Sequence, residues 1–453
     1  MKDLSIGNEG KLIFKFAIPM LLGNVFQQLY NVIDSIIVGK FIGKTALAAV
    51  GTSSPVIFLL VSFIIGITMG FTIVVSQYFG AKDLEKVKKA INTLYIFLFF
   101  TSALMSVVGI LVSPLIFRMI DLSPEIIPQA TTFLTIFFSG LIFLFGYNGT
   151  SAILRGLGDS KTPLYFLVGS VVVNILLDLL FVPVLGWGVW SVGVATVLSV
   201  SLAFIVQILY LNRYHSVVKF SFKELKFDKE IFMKSMRIGL PTGLQQTFVA
   251  VGMVALYWVV DQFGVNANAA YSAAGRIDSF AALPAMSFAV ALSTFVGQNI
   301  GANKPERVKS GFYATFLMSG GVTLVISALI VIFRVPLMQL FTNDPIVIEM
   351  GASYLVVIGI FYILFSTMFV INGVLRGAGD TVIPMFISLF SLWLIRIPVA
   401  YFLSRDPSVG VHGIWWSIPV GWFAGLILYY GYYLSGRWKK KAVVKYDESG
   451  KRI

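Results

Sequence analysis

Apolar residues along this chain come in blocks of roughly 20 to 25 separated by clusters of charge, and each block is long enough for one helical crossing of a bilayer. They lack the period-two alternation of a barrel strand, so the blocks read as helices. Cutting at the charged clusters gives about twelve spans, near residues 13–38, 46–79, 90–113, 127–154, 163–183, 189–212, 236–261, 267–299, 309–333, 345–374, 382–402 and 412–434. The second and eighth are long enough to protrude from the membrane.

Composition agrees with that pattern. With 453 residues, 57% of them hydrophobic and only 12% charged, the chain has too little polar surface to coat a soluble globule of its size. The absence of cysteine excludes disulfides, thiol nucleophiles and thiolate metal sites. His215, in a basic loop, and His412, at a helix start, are read as neither ligands nor catalysts. Lys2, Lys11 and Lys15 precede an apolar run too long for a signal peptide and without a small-residue cleavage site, so that run is expected to be a retained first span.

Charge then orients the spans. With the N-terminus inside, the inner loops collect about 27 of the 34 lysines and arginines, while the outer loops keep Lys40, Lys44, Arg118, Arg334 and Arg405. This asymmetry predicts a multi-pass protein of the cell (plasma or inner) membrane with both termini cytoplasmic. It also accounts for the net charge of +13 through lipid-facing topology signals, with no nucleic-acid partner required.

The chain is also written twice. "LRGLGDSKTP" at 154–163 returns as "LRGAGDTVIP" at 375–384, and the Gln77–Lys82 stretch returns at Gln298–Asn303, both at an offset of 221. Pro19 in "AIPMLLG" meets Pro241 in "GLPTGLQ" at an offset of 222. Six crossings return the chain to its starting side, so the repeat is parallel. The expected fold is therefore an all-α integral membrane protein whose roughly twelve transmembrane helices form two six-helix bundles. The expected divisions are an N-terminal lobe at 1–220, a cytoplasmic linker at 221–235 and a C-terminal lobe at 236–453. Transporters use two bundles because rocking them exposes a central cavity to alternate sides.

Together, the duplicated "LRGxGD" segments, the "SQYFGAKD" and "VGQNIGANK" helix ends and "IPMLLGNVFQQLYNVIDSIIVGKFIG" resemble the multidrug and toxic compound extrusion (MATE) transporters over essentially the whole chain. The resemblance implies export of amphipathic, often cationic compounds in exchange for sodium ions or protons. It also implies a superfamily that includes flippases for lipid-linked saccharides, so export of such a lipid or of another amphipathic metabolite is the alternative.

Helix geometry places the intramembrane acids without help from the family. The first span runs outward and ends near Gly39, so Asp34 lies roughly 7 Å inside its outer end. The fifth span carries Asp178 at similar depth, with Asn174 one turn earlier on the same face. The sixth returns inward and puts Thr196 roughly 10 Å down. Two carboxylates, an amide oxygen and a hydroxyl are the hard ligands an alkali cation takes, and two close carboxylates can equally hold a proton. The resemblance adds that one bacterial branch carries an N-lobe cation site of this pattern, onto which Asp34, Asn174, Asp178 and Thr196 map. Pro19 then matches a proline at which the first helix bends. Sodium, if it couples transport, is expected at those four residues, and no other cofactor is expected.

In the second lobe the repeat puts Leu256 and Val399 where Asp34 and Asp178 stand, so coupling is expected in the first lobe alone. Arg276, Asp278 and Arg396 lie in apolar runs there, read as an internal salt bridge or as a contribution to substrate binding. The substrate cavity is expected between the lobes, lined by Gln27, Gln28, Asn31, Gln245 and Gln246 together with aromatic and methionine side chains. Arg155 and Arg376, in the duplicated glycine-rich segments, are expected to brace a cytoplasmic gate. The few mid-membrane basic residues disfavour a pyrophosphate-binding flippase. "HExxH" and "GxSxG" motifs are absent, so no enzyme activity is expected. The expected partners are small amphipathic or cationic substrates and membrane lipid, with the chain acting as a monomer.

Overall fold

In the computed structural model, which describes residues 2–119, 122–214, 219, 224–447 and 449–452, the apolar blocks become helices. His215 and residues 221–223 of the expected linker lie outside the described residues. The first half contains α1 (Glu9–Ile37), α2 (Lys44–Gly80), α3 (Leu84–Met119), α4 (Ile127–Ser139), α5 (Leu141–Gly156), α6 (Lys161–Leu179) and α7 (Trp190–Tyr214). The second contains α8 (Lys229–Asp261), α9 (Val265–Gly301), α10 (Pro305–Ile332), α11 (Arg334–Gln339), α12 (Pro345–Gly377), α13 (Val382–Leu389), α14 (Ile397–Leu403) and α15 (His412–Leu434). Three π-helical turns, Val38–Ile42, Leu180–Val184 and Phe390–Arg396, continue α1, α6 and α13.

Among the described residues, ten helical stretches are long and apolar enough to cross a membrane, and α4 with α5 makes an eleventh despite a 51° bend. The twelfth expected span is α15, 23 residues of helix rich in Trp and Tyr. The break between α4 and α5 has a packing cause. A Cβ on Gly140 would lie 2.4 Å from a methyl of Val197, so only glycine lets the chain pass α7 there.

The duplicated motif shapes the fold through its glycines. In α5, a Cβ on Gly156 would meet the Thr72 carbonyl of α2 at 2.8 Å; in α12, one on Gly377 would meet the Ser293 carbonyl of α9 at 2.4 Å. The second glycines, Gly158 and Gly379, turn the chain with φ of 79° and 89°. Gly43 and Gly264, and Lys82 and Asn303, are further pairs at positive φ with the same spacing of 221. The repeat is therefore a repeat of backbone geometry, with close approach and left-handed turns demanding the residues that sequence comparison matched.

The chain gathers into two compact units, Met1–Lys2 with Leu22–Arg237 and Asp3–Leu21 with Ile238–Ile453. These bounds differ from a cut at 220 because α1 is shared. Leu4, Leu12, Ile13, Phe16 and Ala17 belong to a core with Phe288, Phe295 and Val374 of the second unit. The Leu4 N–H donates to Gln298 Oε1 at 2.8 Å, Lys304 Nζ to the Ser5 carbonyl at 2.9 Å, and Arg307 pairs with Glu9 at 2.8 Å. Likewise α8 begins in the first unit and passes to the second after Arg237.

Candidate functional site

Three helices of the first unit build the site. Tyr30 and Asp34 are one turn apart on α1, Asn174 and Asp178 one turn apart on α6, and Thr196 lies on α7. With its amide turned as its neighbours require, Asn174 donates to Asp178 Oδ2 at 2.9 Å and accepts from the Thr196 N–H at 3.2 Å. The Tyr30 hydroxyl meets Thr196 Oγ1 at 3.4 Å, and that hydroxyl also donates to the Val192 carbonyl at 2.9 Å. Asp34 and Asp178 are within electrostatic range of one another, and Tyr30 of both. All four residues singled out from sequence therefore share one polar cluster.

Burial makes this cluster costly. Asn174 and Asp178 are 2% and 0% exposed, and one carboxylate oxygen of each aspartate, Asp34 Oδ1 and Asp178 Oδ1, is buried without a hydrogen-bond partner. Leaving buried acceptors unpaired costs free energy that a cation or a proton would recover. Two carboxylates and the hydroxyls of Thr196 and Tyr30 fit a hard, oxygen-seeking cation, while the Asn174 amide, turned this way, gives its N–H to Asp178 and its oxygen to the Thr196 N–H.

The surroundings hold these groups in place. Both acid-bearing helices pass into π-helical turns just beyond the aspartates, at Val38–Ile42 and Leu180–Val184. Such turns widen the helix and recur at functional sites. Ile37, Val38, Val182, Val189 and Val192 form an apolar cluster beyond them. Phe181, Trp187 and Trp190 stack in succession at 4.8 and 5.0 Å.

Tyr30 was missed by sequence reasoning. Its signal was the four-residue spacing to Asp34, which puts both on one helical face. Asn31 and Gln27, one turn apart on α1, are exposed; Gln28 and Gln246 are half-buried. Gln245 is buried and gives its amide hydrogen to Ser388 at 2.5 Å, within a network that continues to Tyr429 at 2.7 Å. Pro19 lies inside α1. Arg155 and Arg376 are half-buried in the last turns of α5 and α12.

Among the described residues, the second unit holds no copy of the acid cluster. Leu256, the counterpart of Asp34, is 1% exposed in an apolar core, and a Cβ on Gly252, the counterpart of Tyr30, would touch Leu392 at 2.5 Å. Nor do Arg276, Asp278 and Arg396 form the expected salt bridge. Arg276 is exposed, and among the described residues no ion pair within 4.0 Å joins these three. Instead, Tyr354 donates to Asp278 Oδ2 at 3.2 Å and Tyr362 donates to Oδ1. Two phenols supplied by α12 satisfy that carboxylate.

Comparison with known proteins agrees with this architecture. The MatE family model matches twice, at residues 19–180 and 241–402. The probable multidrug resistance protein YoeA of Bacillus subtilis (strain 168) is 32% identical over 441 residues, covering 95% of this chain and 94% of its own. YpnP of the same organism, also described as a probable multidrug resistance protein, is 33% identical over 438 residues, covering 96% and 97%. Among solved structures, an outward-facing multidrug resistance MATE family transporter of the MOP superfamily superposes with a TM-score of 0.91 at 24% identity, over 97% of this chain and 99% of that one. A MATE crystal structure in the bent conformation gives a TM-score of 0.90 at 24% identity over 96% and 98%. The chain belongs to the MATE family of multidrug transporters.

Proposed function

We propose that this multi-pass transporter is an antiporter, exporting amphipathic and often cationic compounds in exchange for a sodium ion or proton held by Asp34, Asn174, Asp178 and Thr196, with Tyr30 as a fifth oxygen donor. The observation that carries the reading is the pair of buried, unpartnered carboxylate oxygens on Asp34 and Asp178. An acceptor-only carboxylate in apolar surroundings is stabilised by a positive charge, so cation entry and release change the energy of this corner of the unit substantially.

The same helix that carries Asp34 and Tyr30 exposes Gln27 and Asn31 on adjoining turns. A cation drawing Asp34 toward Asp178 therefore moves α1 and repositions polar groups available to cargo. Pro19 interrupts the backbone hydrogen bonding of α1 and gives the helix a place to bend. Coupling follows if the bent and straight forms of α1 differ in affinity for both cation and cargo. The inner-loop excess of basic residues supports placing this transporter in the cell membrane with cytoplasmic termini.

Direct binding tests the site. Radioactive sodium binding and proton release on adding sodium would be measured on purified protein, as wild type and as Asp34→Asn. We expect the substitution to abolish the sodium signal or, for a proton carrier, pH-dependent substrate release. An Asp34→Asn protein that retains both would refute the site.

A further inference from the structure

The end of α15 leads into a segment held against the second unit. Along α15, Ile427, Tyr430 and Leu434 are 55%, 50% and 64% exposed at the spacing of one helical face, so a lipid-facing stripe runs into the last turn. Gly436 turns the chain with φ of 65°, and a short 3-10 helix, Arg437–Lys441, follows. Trp438 pins it. That side chain is 5% exposed, and its Nε1 donates to the Tyr433 carbonyl at 2.9 Å. Its ring stacks on Tyr433 at 5.6 Å, and Tyr433 stacks on Phe312 of α10 at 5.0 Å. Farther along, Val444 is buried and the Tyr446 hydroxyl donates to the Gly301 carbonyl, at the end of α9, at 2.5 Å. Residues 437–446 are therefore a fastened strap and not a loose tail.

What the strap presents is positive charge. Its sequence, "RWKKKAVVKY", holds five cations and no acid, and Arg437, Lys439, Lys440, Lys441 and Lys445 are all exposed. Elsewhere Lys88 pairs with Glu224, Lys89 with Glu85, Lys234 with Glu230 and Arg307 with Glu9. Among the described residues, none of the five strap cations has such a partner within 4.0 Å. Asp447, the next acid, accepts from the backbone N–H groups of Ser449 and Lys451 in its own turn. Like charges held on one fixed backbone repel each other, and a surface offering many negative charges at once relieves that repulsion. Position selects which surface. The strap begins three residues beyond a helix face that meets hydrocarbon, which sets its cations at the depth of lipid headgroups.

We propose that residues 437–446 form a docking surface for anionic phospholipid headgroups, gathered by Arg437, Lys439, Lys440, Lys441 and Lys445 while Trp438 fixes the row. A loose polybasic tail loses conformational freedom when it binds a membrane; this row is already ordered by its ring stack and by Tyr446, so less is lost. The same contacts carry the effect inward. The strap touches the ends of α9 and α10, and the turn joining these helices also seats the start of α1 through Leu4, Ser5 and Glu9. Headgroups held by the strap steady that seat, which makes the anionic lipid content of the membrane an input to the transporter. This docking is independent of which ion drives transport and of what is exported.

With no native cysteine, the full chain accepts a single reporter. Leu434→Cys, on the lipid-facing stripe and outside the basic row, would carry bimane in phosphatidylcholine vesicles doped with spin-labelled phosphatidylglycerol or, at equal mole fraction, spin-labelled phosphatidylcholine. The ratio of quenching by the two probes measures how far anionic lipid is enriched beside the strap. It is expected to be roughly threefold or more, and to fall toward one when salt is raised to about 0.5 M. Changing Lys439, Lys440, Lys441 and Lys445 together to Gln is expected to abolish the enrichment. Changing Lys161, Lys226, Lys229 and Lys309 to Gln, an equal loss of exposed charge elsewhere, is expected to leave it in place. Unaltered quenching by spin-labelled phosphatidylcholine shows that a variant is folded and inserted. Equal quenching by the two lipids in the otherwise unaltered Leu434→Cys protein, or the same fall in both lysine variants, overturns the docking surface.

Discussion

Asp34 and Asp178 each have an oxygen that the protein leaves unpaired. Replacing Asp34 with Asn keeps the shape and removes the charge. Gradient-driven transport by Asp34→Asn should fall to background in proteoliposomes while the purified protein keeps its thermal unfolding temperature, or gains slightly, since a buried charge is lost. Tyr30→Phe should be milder. Removing one neutral donor near Thr196 is worth about 1 kcal/mol, or roughly fivefold in cation affinity, read from sodium or proton titration. The aspartates were legible in the sequence because an ionisable group inside an apolar run is conspicuous. Tyr30 was not, since tyrosine is common in membrane helices and its role arises only when α1 lies beside α7. The tyrosine clamp on Asp278 was hidden for the same reason, with its donors 76 and 84 residues away on α12.

Helices impose a second kind of constraint. A methyl group on Gly377 would press into the Ser293 carbonyl of α9 at 2.4 Å, whereas one on Gly169 of α6 would meet nothing within 4 Å. Gly377→Ala should therefore destabilise the protein by roughly 1–3 kcal/mol through overpacking, and Gly169→Ala should be neutral or mildly stabilising, both measured by thermal unfolding in detergent. The "LRGxGD" segments were visible as a repeat, but their reason was not. The first glycine admits a neighbouring helix, and the second makes a left-handed turn. Span positions were also legible, because apolar length is a one-dimensional property. The three π-helical turns were not, because they depend on local hydrogen-bond register that hydropathy does not encode. Pro19 gives α1 its own test: Pro19→Ala should restore a backbone donor, leave cation binding near wild type and slow transport.

For the molecule as a whole, sequence located the duplication, and packing divides the chain at bounds other than 220 and 236. The first turns of α1 follow the second unit because Leu12, Ile13 and Phe16 are buried against α9 and α12, a tertiary preference that no boundary in composition announces. Orientation is open to a clean experiment, since the chain has no cysteine of its own. A cysteine placed at Lys44 should react with an impermeant maleimide from outside intact cells, and one at Lys440 only after the membrane is opened. The account's central claim, coupling through the two aspartates of the first unit, is tested most directly by transport of a fluorescent organic cation into inverted vesicles with sodium and pH gradients imposed separately. One of the two gradients should drive uptake by the wild type and neither should drive it in Asp34→Asn; full gradient-driven uptake by the Asp34→Asn protein would contradict the account.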